Sequence, residues 1–135
     1  MTTTHTMTLG EVMTNSPLTI AINATLAEAR ALMESLGVRH LPVMDGSLVE
    51  SVISLRDIER FSLPAHSLSQ DEELLVSDVA PTRAFAADVN DPLARVVSVM
   101  AERQMGAVIA LDQGELAGIF TETDVCRVLA TLLGD

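Results

Sequence analysis

Two stretches of the chain decide the fold, because they repeat one pattern. The first is Leu41-Pro-Val-Met-Asp-Gly-Ser-Leu-Val-Glu-Ser-Val-Ile-Ser-Leu-Arg-Asp-Ile58, and the second is Val108-Ile-Ala-Leu-Asp-Gln-Gly-Glu-Leu-Ala-Gly-Ile-Phe-Thr-Glu-Thr-Asp-Val125. In each, two apolar runs flank a short turn that contains Asp and Gly, which is typical of a β-hairpin. A Ser or Thr three residues before an Asp then opens a helical pattern. Each stretch therefore predicts a hairpin followed by a helix.

The repeat extends upstream of both stretches. Asp57 aligns with Asp124, an offset of 67 residues, and the same offset aligns Asn23 with Asn90. After each Asn, apolar residues recur at helical spacing, and Gly37 ends the first of these helices. In the second copy we expect Pro92 at the first helical position. A short helical turn is predicted before each copy, over residues 9–13 and 75–79.

These elements predict an α/β (α+β) fold of two β-α-β-β-α repeats. The predicted boundaries are residues 8–63 for the first repeat, 64–73 for a polar linker and 74–133 for the second repeat. A half of about 60 residues would be marginally stable by itself. We therefore expect the repeats to pack sheet to sheet with pseudo-two-fold symmetry.

Composition excludes several classes of function. The 135 residues carry a net charge of −11 and no Lys, so a nucleic-acid surface, a phosphate-loop lysine and a Schiff-base lysine are all excluded. The single cysteine, Cys126, allows neither an internal disulfide nor a multi-cysteine zinc cluster, and we expect it to be a buried, inert thiol. We find no catalytic constellation, and expect no enzyme, no metal site and no required cofactor.

The chain also lacks membrane and secretion signals. No stretch approaches the ~20 consecutive apolar residues that span a bilayer, and the first residues do not resemble a signal peptide. We expect a cytoplasmic protein with no membrane partner.

The two repeated stretches resemble the core of the cystathionine-β-synthase (CBS) domain, and two copies in tandem resemble a Bateman module. The segments Glu11-Val-Met-Thr and Pro17-Leu-Thr-Ile fit the start of the same pattern. The resemblance covers roughly residues 8 to 133. It implies a regulatory module that binds AMP, ADP, ATP or S-adenosylmethionine in clefts between the repeats.

The resemblance also implies which residues face the ligand. In the family, the Asp of the Ser/Thr-x-x-Asp motif accepts hydrogen bonds from the ribose hydroxyls, and the Ser or Thr reaches ribose or phosphate. The corresponding residues are Ser54, Arg56, Asp57, Arg39, His40, Thr14 and Pro42, together with Thr121, Asp124, Gly106 and Ala107. A carboxylate suits a ribose diol because it only accepts hydrogen bonds, and a helix start offers N–H groups to an anion.

A simpler interpretation of the motif remains open. Ser/Thr-x-x-Asp also resembles a capping box, in which the two side chains only hold the first turn of the helix. Arg39 has a similar alternative, a surface ion pair on a solvated strand edge. The first copy also has Ser51 where the second has the glycine usual in the family, Gly118, and a side chain there could crowd a ligand.

The two sites are predicted to differ in charge. The first copy places Arg39 and His40 before its hairpin, whereas the second has Gly106 and Ala107. Residues 1–67 hold 7 acids and 4 Arg (−3), and residues 68–135 hold 12 acids and 4 Arg (−8). Because an unneutralised phosphate is costly in an acidic environment, a di- or triphosphate should prefer the first site.

Two functions are consistent with the sequence. The first is a sensor of adenine nucleotides that forms a homodimer and modulates an unidentified protein effector in trans. Apolar helical faces, including Ile58 and Phe61 in the first repeat and Leu129 and Leu132 in the second, support the dimer. The alternative is a dimerisation or protein-interaction module that binds no ligand.

Overall fold

The chain forms two compact units that do not coincide with the two sequence repeats. The structure is a computed structural model that describes residues 6–61, 74–80 and 85–135. The central unit comprises Leu18–Ala84, and the split unit comprises Met1–Pro17 together with Phe85–Asp135. The predicted linker at 64–73 lies outside the described residues. The predicted repeat boundaries therefore remain a prediction about the sequence.

The helices and strands follow the predicted order in both repeats. In chain order they are α1 (Leu9–Val12), β1 (Thr14–Asn15), β2 (Ile20–Ala21), α2 (Leu26–Leu36), β3 (His40–Asp45), β4 (Leu48–Ser54), α3 (Leu55–Phe61), α4 (Val76–Val79), β5 (Ala86–Asp88), α5 (Leu93–Arg103), β6 (Ala107–Asp112), β7 (Glu115–Thr121) and α6 (Glu122–Leu132). The central sheet has the order β2-β3-β4, and the split sheet has the order β1-β7-β6-β5. In each unit the first strand of the repeat pairs parallel to the second, and the second and third form an antiparallel hairpin. The predicted α/β class and the β-α-β-β-α order are confirmed.

The two hairpins share their register. His40 lies opposite Ser54 in the first, and Ala107 lies opposite Thr121 in the second. Each hairpin also has a register shift at the same aligned place, after Val43 and after Ala110. A one-residue slip would turn every buried side chain to the opposite face, so the buried strand residues specify this register.

The helix before each hairpin is delimited as its sequence suggests, with one exception. α2 begins after Thr25, whose Oγ1 accepts a hydrogen bond from Glu28 N at 3.1 Å, and it ends at Gly37 in the left-handed conformation (φ 68°). The prediction that Pro92 is the first helical residue is wrong, because its ψ of 130° places it before the helix. The first helical residue is Leu93, whose N–H donates to Met7 O at 2.8 Å. A proline has no N–H for this bond.

The short helix that precedes each repeat is buried in the unit built mainly from the other repeat. Leu9 of α1 is fully buried in the core of the split unit, together with Met100 and Phe120. Val76 of α4 is fully buried in the core of the central unit, together with Leu26. Each short helix thus completes a core that its own repeat does not form.

Equivalent backbone hydrogen bonds fix the two short helices. For α1, Leu9 N donates to Asp91 O at 3.0 Å and Gly10 N donates to Val89 O at 2.8 Å. The aligned bonds for α4 are those from Val76 N to Ala24 O at 2.8 Å and from Ser77 N to Ile22 O at 3.0 Å. Because the same bonds recur 67 residues apart, the repeat extends to these helices.

Two predictions about burial are wrong. Cys126 is exposed on α6, since it lies on the side of the helix away from the core residues Val125 and Val128. Ile58 is fully buried in the core of the central unit and therefore offers no surface to a partner. Leu129 and Leu132 are exposed, with 53% and 67% of their surface accessible.

No helix among the described residues is long and apolar enough to cross a membrane.

Gly118 has a packing role in the split unit. A Cβ at this position would lie 2.6 Å from Met13 Sδ and 2.7 Å from Thr14 O, and β1 pairs with β7 at this point. The space beside Gly118 is therefore filled by Met13 and Thr14. Packing within the protein explains the glycine at this position without a ligand. At the aligned positions of the central unit, the larger Ser51 stands in place of Gly118 and the smaller Ala80 stands in place of Met13.

We predict that Gly118→Ala lowers the free energy of unfolding by about 1–3 kcal/mol, because the new methyl group must displace strand β1 or Met13. The measurement is chemical denaturation followed by far-UV circular dichroism, since the chain has no Trp or Tyr. Ser51→Ala is the matched control at the aligned position and should change stability by less than about 1 kcal/mol. Equal losses for both variants would contradict this role of Gly118.

Candidate functional site

The first Ser-x-x-Asp motif is a reciprocal cap at the start of α3. Ser54 N donates to Asp57 Oδ2 at 2.8 Å, and Asp57 N donates to Ser54 Oγ at 3.1 Å. Both side chains are half-buried. The capping interpretation is therefore correct as a description of the local geometry. It uses only one oxygen of the carboxylate, because Asp57 Oδ1 accepts no hydrogen bond from any residue that the structure describes.

The hairpin holds Arg39 and His40 beside this motif. His40 pairs with Ser54 across the hairpin, and Leu55 N donates to Arg39 O at 2.7 Å. Arg39 and Arg56 are exposed, and His40 is half-buried. Five of the predicted residues, Arg39, His40, Ser54, Arg56 and Asp57, thus lie at one end of the central sheet.

Pro42 lies further along β3 than the rest of this group. It is fully buried and faces Val52 across the hairpin. Its neighbours Leu41 and Val43 face the core of the central unit, so Pro42 lies on the opposite face of β3, two residues along the strand from His40.

In the second motif, both oxygens of the carboxylate accept hydrogen bonds from the protein. Asp124 Oδ2 accepts hydrogen bonds from Thr121 N at 2.9 Å and from Thr121 Oγ1 at 3.2 Å. Asp124 Oδ1 accepts from Arg127 Nη1 at 3.2 Å. The Asp124 side chain is 8% exposed, whereas that of Arg127 is 73% exposed. A buried carboxylate with three donors has little capacity left for a ligand.

The surroundings of the second motif carry no cation in place of Arg39. Glu122 N donates to Gly106 O at 3.1 Å, the counterpart of the bond between Leu55 and Arg39. Ala107 is buried opposite Thr121. The backbone frame is the same in both repeats, but the second repeat has the small, uncharged Gly106 and Ala107 where the first has Arg39 and His40.

Thr14 belongs to the second motif's unit. It is exposed on β1 and lies opposite Ile119, two residues before Thr121 along β7. The predicted residues thus fall into two groups. The central unit contains Arg39, His40, Pro42, Ser54, Arg56 and Asp57, and the split unit contains Thr14, Gly106, Ala107, Thr121 and Asp124.

Sequence analysis missed the contact that distinguishes the two motifs. Arg127 follows Asp124 by three residues, a spacing at which helical side chains meet, and this spacing could have indicated the pair. The same spacing relates Asp57 to Arg60, yet these two form no ion pair in the described part of the chain. Only the structure shows that Asp124 pairs with the arginine three residues later and that Asp57 does not.

The helix start offers fewer backbone donors than expected from the sequence. Two of the first three N–H groups of α3 are already engaged, that of Leu55 by Arg39 O and that of Asp57 by Ser54 Oγ. An anion near this motif would therefore depend mainly on the guanidinium groups of Arg39 and Arg56.

Comparison with known proteins identifies the family to which the chain belongs. The sequence model of the CBS domain matches residues 9–63 and again residues 76–131. The chain therefore belongs to the CBS domain family and contains two copies of the domain. The predicted resemblance is confirmed.

Individual proteins are similar to the chain over most of its length. The CBS domain-containing protein YhcV of Bacillus subtilis is 28% identical over 115 residues, which cover 85% of this chain and 80% of YhcV. The CBS domain pair of protein MJ0100, solved with 5′-methylthioadenosine and S-adenosyl-L-methionine, is 19% identical with a TM-score of 0.81, over 95% of this chain and 99% of that one. CBSX2, solved with AMP, is 21% identical with a TM-score of 0.76, over 93% and 97% of the two chains. At these identities the two structures show a shared fold.

We predict that Asp124→Ala costs more stability than Asp57→Ala. Asp124 is buried and accepts three hydrogen bonds, so its loss should lower the free energy of unfolding by about 2–3 kcal/mol, against about 1 kcal/mol for the single cap of Asp57. Chemical denaturation of both variants measures the difference.

Arg127→Gln is the control for the ion pair itself. Because Arg127 is largely exposed, this variant should change stability by less than about 1 kcal/mol. A larger loss for Asp57→Ala than for Asp124→Ala would show that the second carboxylate is not the more deeply engaged one.

Proposed function

We propose that the protein is a regulatory module that senses an adenosine-containing ligand, with its principal site at the Ser54–Asp57 motif. The observation that carries the proposal is the incomplete use of the Asp57 carboxylate, whose Oδ1 is left without a donor among the described residues. A ribose diol supplies two hydroxyl donors, and a carboxylate oxygen without a protein donor can accept hydrogen bonds from them. The aligned Asp124 lacks this free capacity.

The charges near the motif favour a ligand that carries phosphate. Arg39 and Arg56 are exposed cations on the backbone segments that carry the motif, and they can neutralise phosphate oxygens through charge-assisted hydrogen bonds. They would not favour S-adenosylmethionine, which carries a positive sulfonium group. Among the candidate ligands, AMP, ADP and ATP therefore fit this site better.

The bound ligands of two relatives support the ligand class. MJ0100 was solved with 5′-methylthioadenosine and S-adenosyl-L-methionine, and CBSX2 was solved with AMP. All three of these molecules contain adenosine. For this chain, the proposed consequence of binding is a shift in conformation that a separate effector protein detects, since a ligand shifts an equilibrium only through its different affinity for the two states.

The proposal predicts that a phosphate-bearing adenine nucleotide stabilises the protein and that Asp57→Asn abolishes the effect. At about 100 times the dissociation constant, a ligand adds about 2.7 kcal/mol, which raises the melting temperature by several degrees. The measurement is a thermal melt with AMP, ADP, ATP and S-adenosylmethionine, followed by titration calorimetry with the best of them.

Matched variants separate the two parts of the site. Arg39→Gln with Arg56→Gln should weaken the nucleotides while leaving adenosine unchanged, and Arg60→Gln, one turn further along α3, should alter neither. Asp124→Asn should retain nucleotide binding at the first motif. Binding that survives Asp57→Asn but not Asp124→Asn would overturn the assignment to the first repeat.

A second function, a ligand-independent interaction module, is supported by exposed leucines on α6 and at its C-terminal cap. Leu129, Leu132 and Leu133 are 53%, 67% and 78% exposed. Leucines that lie together on one helix are typical of an interface. The same surface would serve the homodimer in the sensor proposal, so the two functions differ in ligand binding alone.

We predict a homodimer that dissociates when Leu129 and Leu132 are both changed to Ser. Sedimentation velocity measures the mass of each species, and the variant should retain the circular dichroism spectrum of the parent. Leu48→Ser, which alters an exposed leucine on β4, is the control and should remain dimeric. If the parent sediments as a monomer at all concentrations, the dimer is wrong.

A further inference from the structure

A groove in the split unit lies outside both Ser/Thr-x-x-Asp motifs. It has a volume of about 380 Å³ and lies between strand β5 and helix α5. Its apolar lining comes from Phe85 and Ala87 on the strand side and from Val96 and Val99 on the helix. Small-molecule sites in proteins span about 300–1,000 Å³ and are mostly apolar, so the groove falls within their range.

Two arginines give this apolar groove a cationic wall. Arg95 and Arg103 lie four residues before and after Val99, so all three occupy one stripe of α5. The guanidinium carbon of Arg103 lies 5.6 Å from the centroid of the Phe85 ring. Stacking on a ring holds a guanidinium by its face and leaves the N–H groups at its edge free to donate.

These two arginines are not neutralised by neighbouring acids. Neither Arg95 nor Arg103 forms an ion pair with any residue that the structure describes, although the chain as a whole has 19 acids and 8 arginines. Asp91, at one end of the groove, uses its Oδ2 to accept a hydrogen bond from Asp88 N at 3.0 Å. Its charge weakens the attraction of the groove for anions, and it does so most for a polyanion that would fill the whole groove.

The cationic wall is specific to the second repeat. The residues of the first repeat that align with Arg95 and Arg103 are Glu28 and Leu36, and Leu18 aligns with Phe85. Both guanidinium groups and the aromatic ring are therefore absent from the equivalent surface of the central unit. The shared fold does not by itself require these three residues.

We infer that this groove binds a small amphipathic anion, a molecule with an apolar body and one carboxylate or phosphate group. The apolar body packs against Phe85, Val96 and Val99. The anionic group accepts hydrogen bonds from Arg95 and Arg103. Such a site would give the module a second input, separate from the adenosine-containing ligand.

The test uses benzoate and phenyl phosphate as probes, with benzyl alcohol as the neutral analogue. Binding is followed by the NMR shifts of the methyl groups of Val96 and Val99 in the full chain. Both anions should shift these signals saturably, and benzyl alcohol should bind about tenfold more weakly because it cannot form charge-assisted hydrogen bonds. The tighter of the two anions identifies the preferred headgroup.

Variants distinguish a built site from diffuse attraction. Arg95→Gln with Arg103→Gln should weaken both anions about tenfold or more. Arg60→Gln, which removes an exposed arginine from the central unit, should not weaken them, and Asp57→Asn should leave them unchanged even if it abolishes nucleotide binding. No saturation by about 10 mM of either anion, or equal affinity in the parent and the double variant, would overturn the inference.

Discussion

One backbone hydrogen bond in each repeat fixes the position of everything at the candidate site. It runs from the first N–H of the last helix to the carbonyl of the residue before the hairpin, from Leu55 to Arg39 and from Glu122 to Gly106. The bond closes the hairpin against the helix and places the Ser/Thr-x-x-Asp motif at the open end of the sheet. Because it joins backbone atoms, side chains at these positions can change without moving the frame.

The two repeats use this common frame for different chemistry. In the second, the small residues Gly106 and Ala107 accompany an Asp124 whose two oxygens are satisfied within the protein. In the first, Arg39 lies beside an Asp57 that retains an oxygen for an external donor. A buried and saturated carboxylate stabilises its helix, whereas a half-buried carboxylate with free capacity can also bind a ligand. The proposed function thus assigns a binding role to Asp57 and a supporting role to Asp124 within one motif.

The short helices α1 and α4 explain why neither sequence repeat equals a compact unit. Leu9 and Val76 are each fully buried in the core that the other repeat builds. A repeat of about 60 residues would be only marginally stable by itself. Each repeat thus contributes its short helix to the core of the other, which adds one large buried side chain to each core. Both repeats must therefore be present for either core to be complete.

The sequence by itself determined the repeat, the order of its elements and the residues near each motif. These features were predicted from local signals, namely hydrophobic periodicity, Gly37 as a helix end and the paired turns. Such signals depend on neighbouring residues in the chain and can be interpreted without the tertiary structure. The tertiary structure decided what depends on distant contacts. Met13 fills the space beside Gly118, Cys126 is exposed on α6, and Leu93, the first residue of its helix, donates its N–H to Met7 O. The tertiary structure also determined that Arg127 pairs with Asp124, whereas Arg60 forms no ion pair with Asp57 among the described residues. Identical spacing in the sequence does not fix the direction in which a long side chain extends.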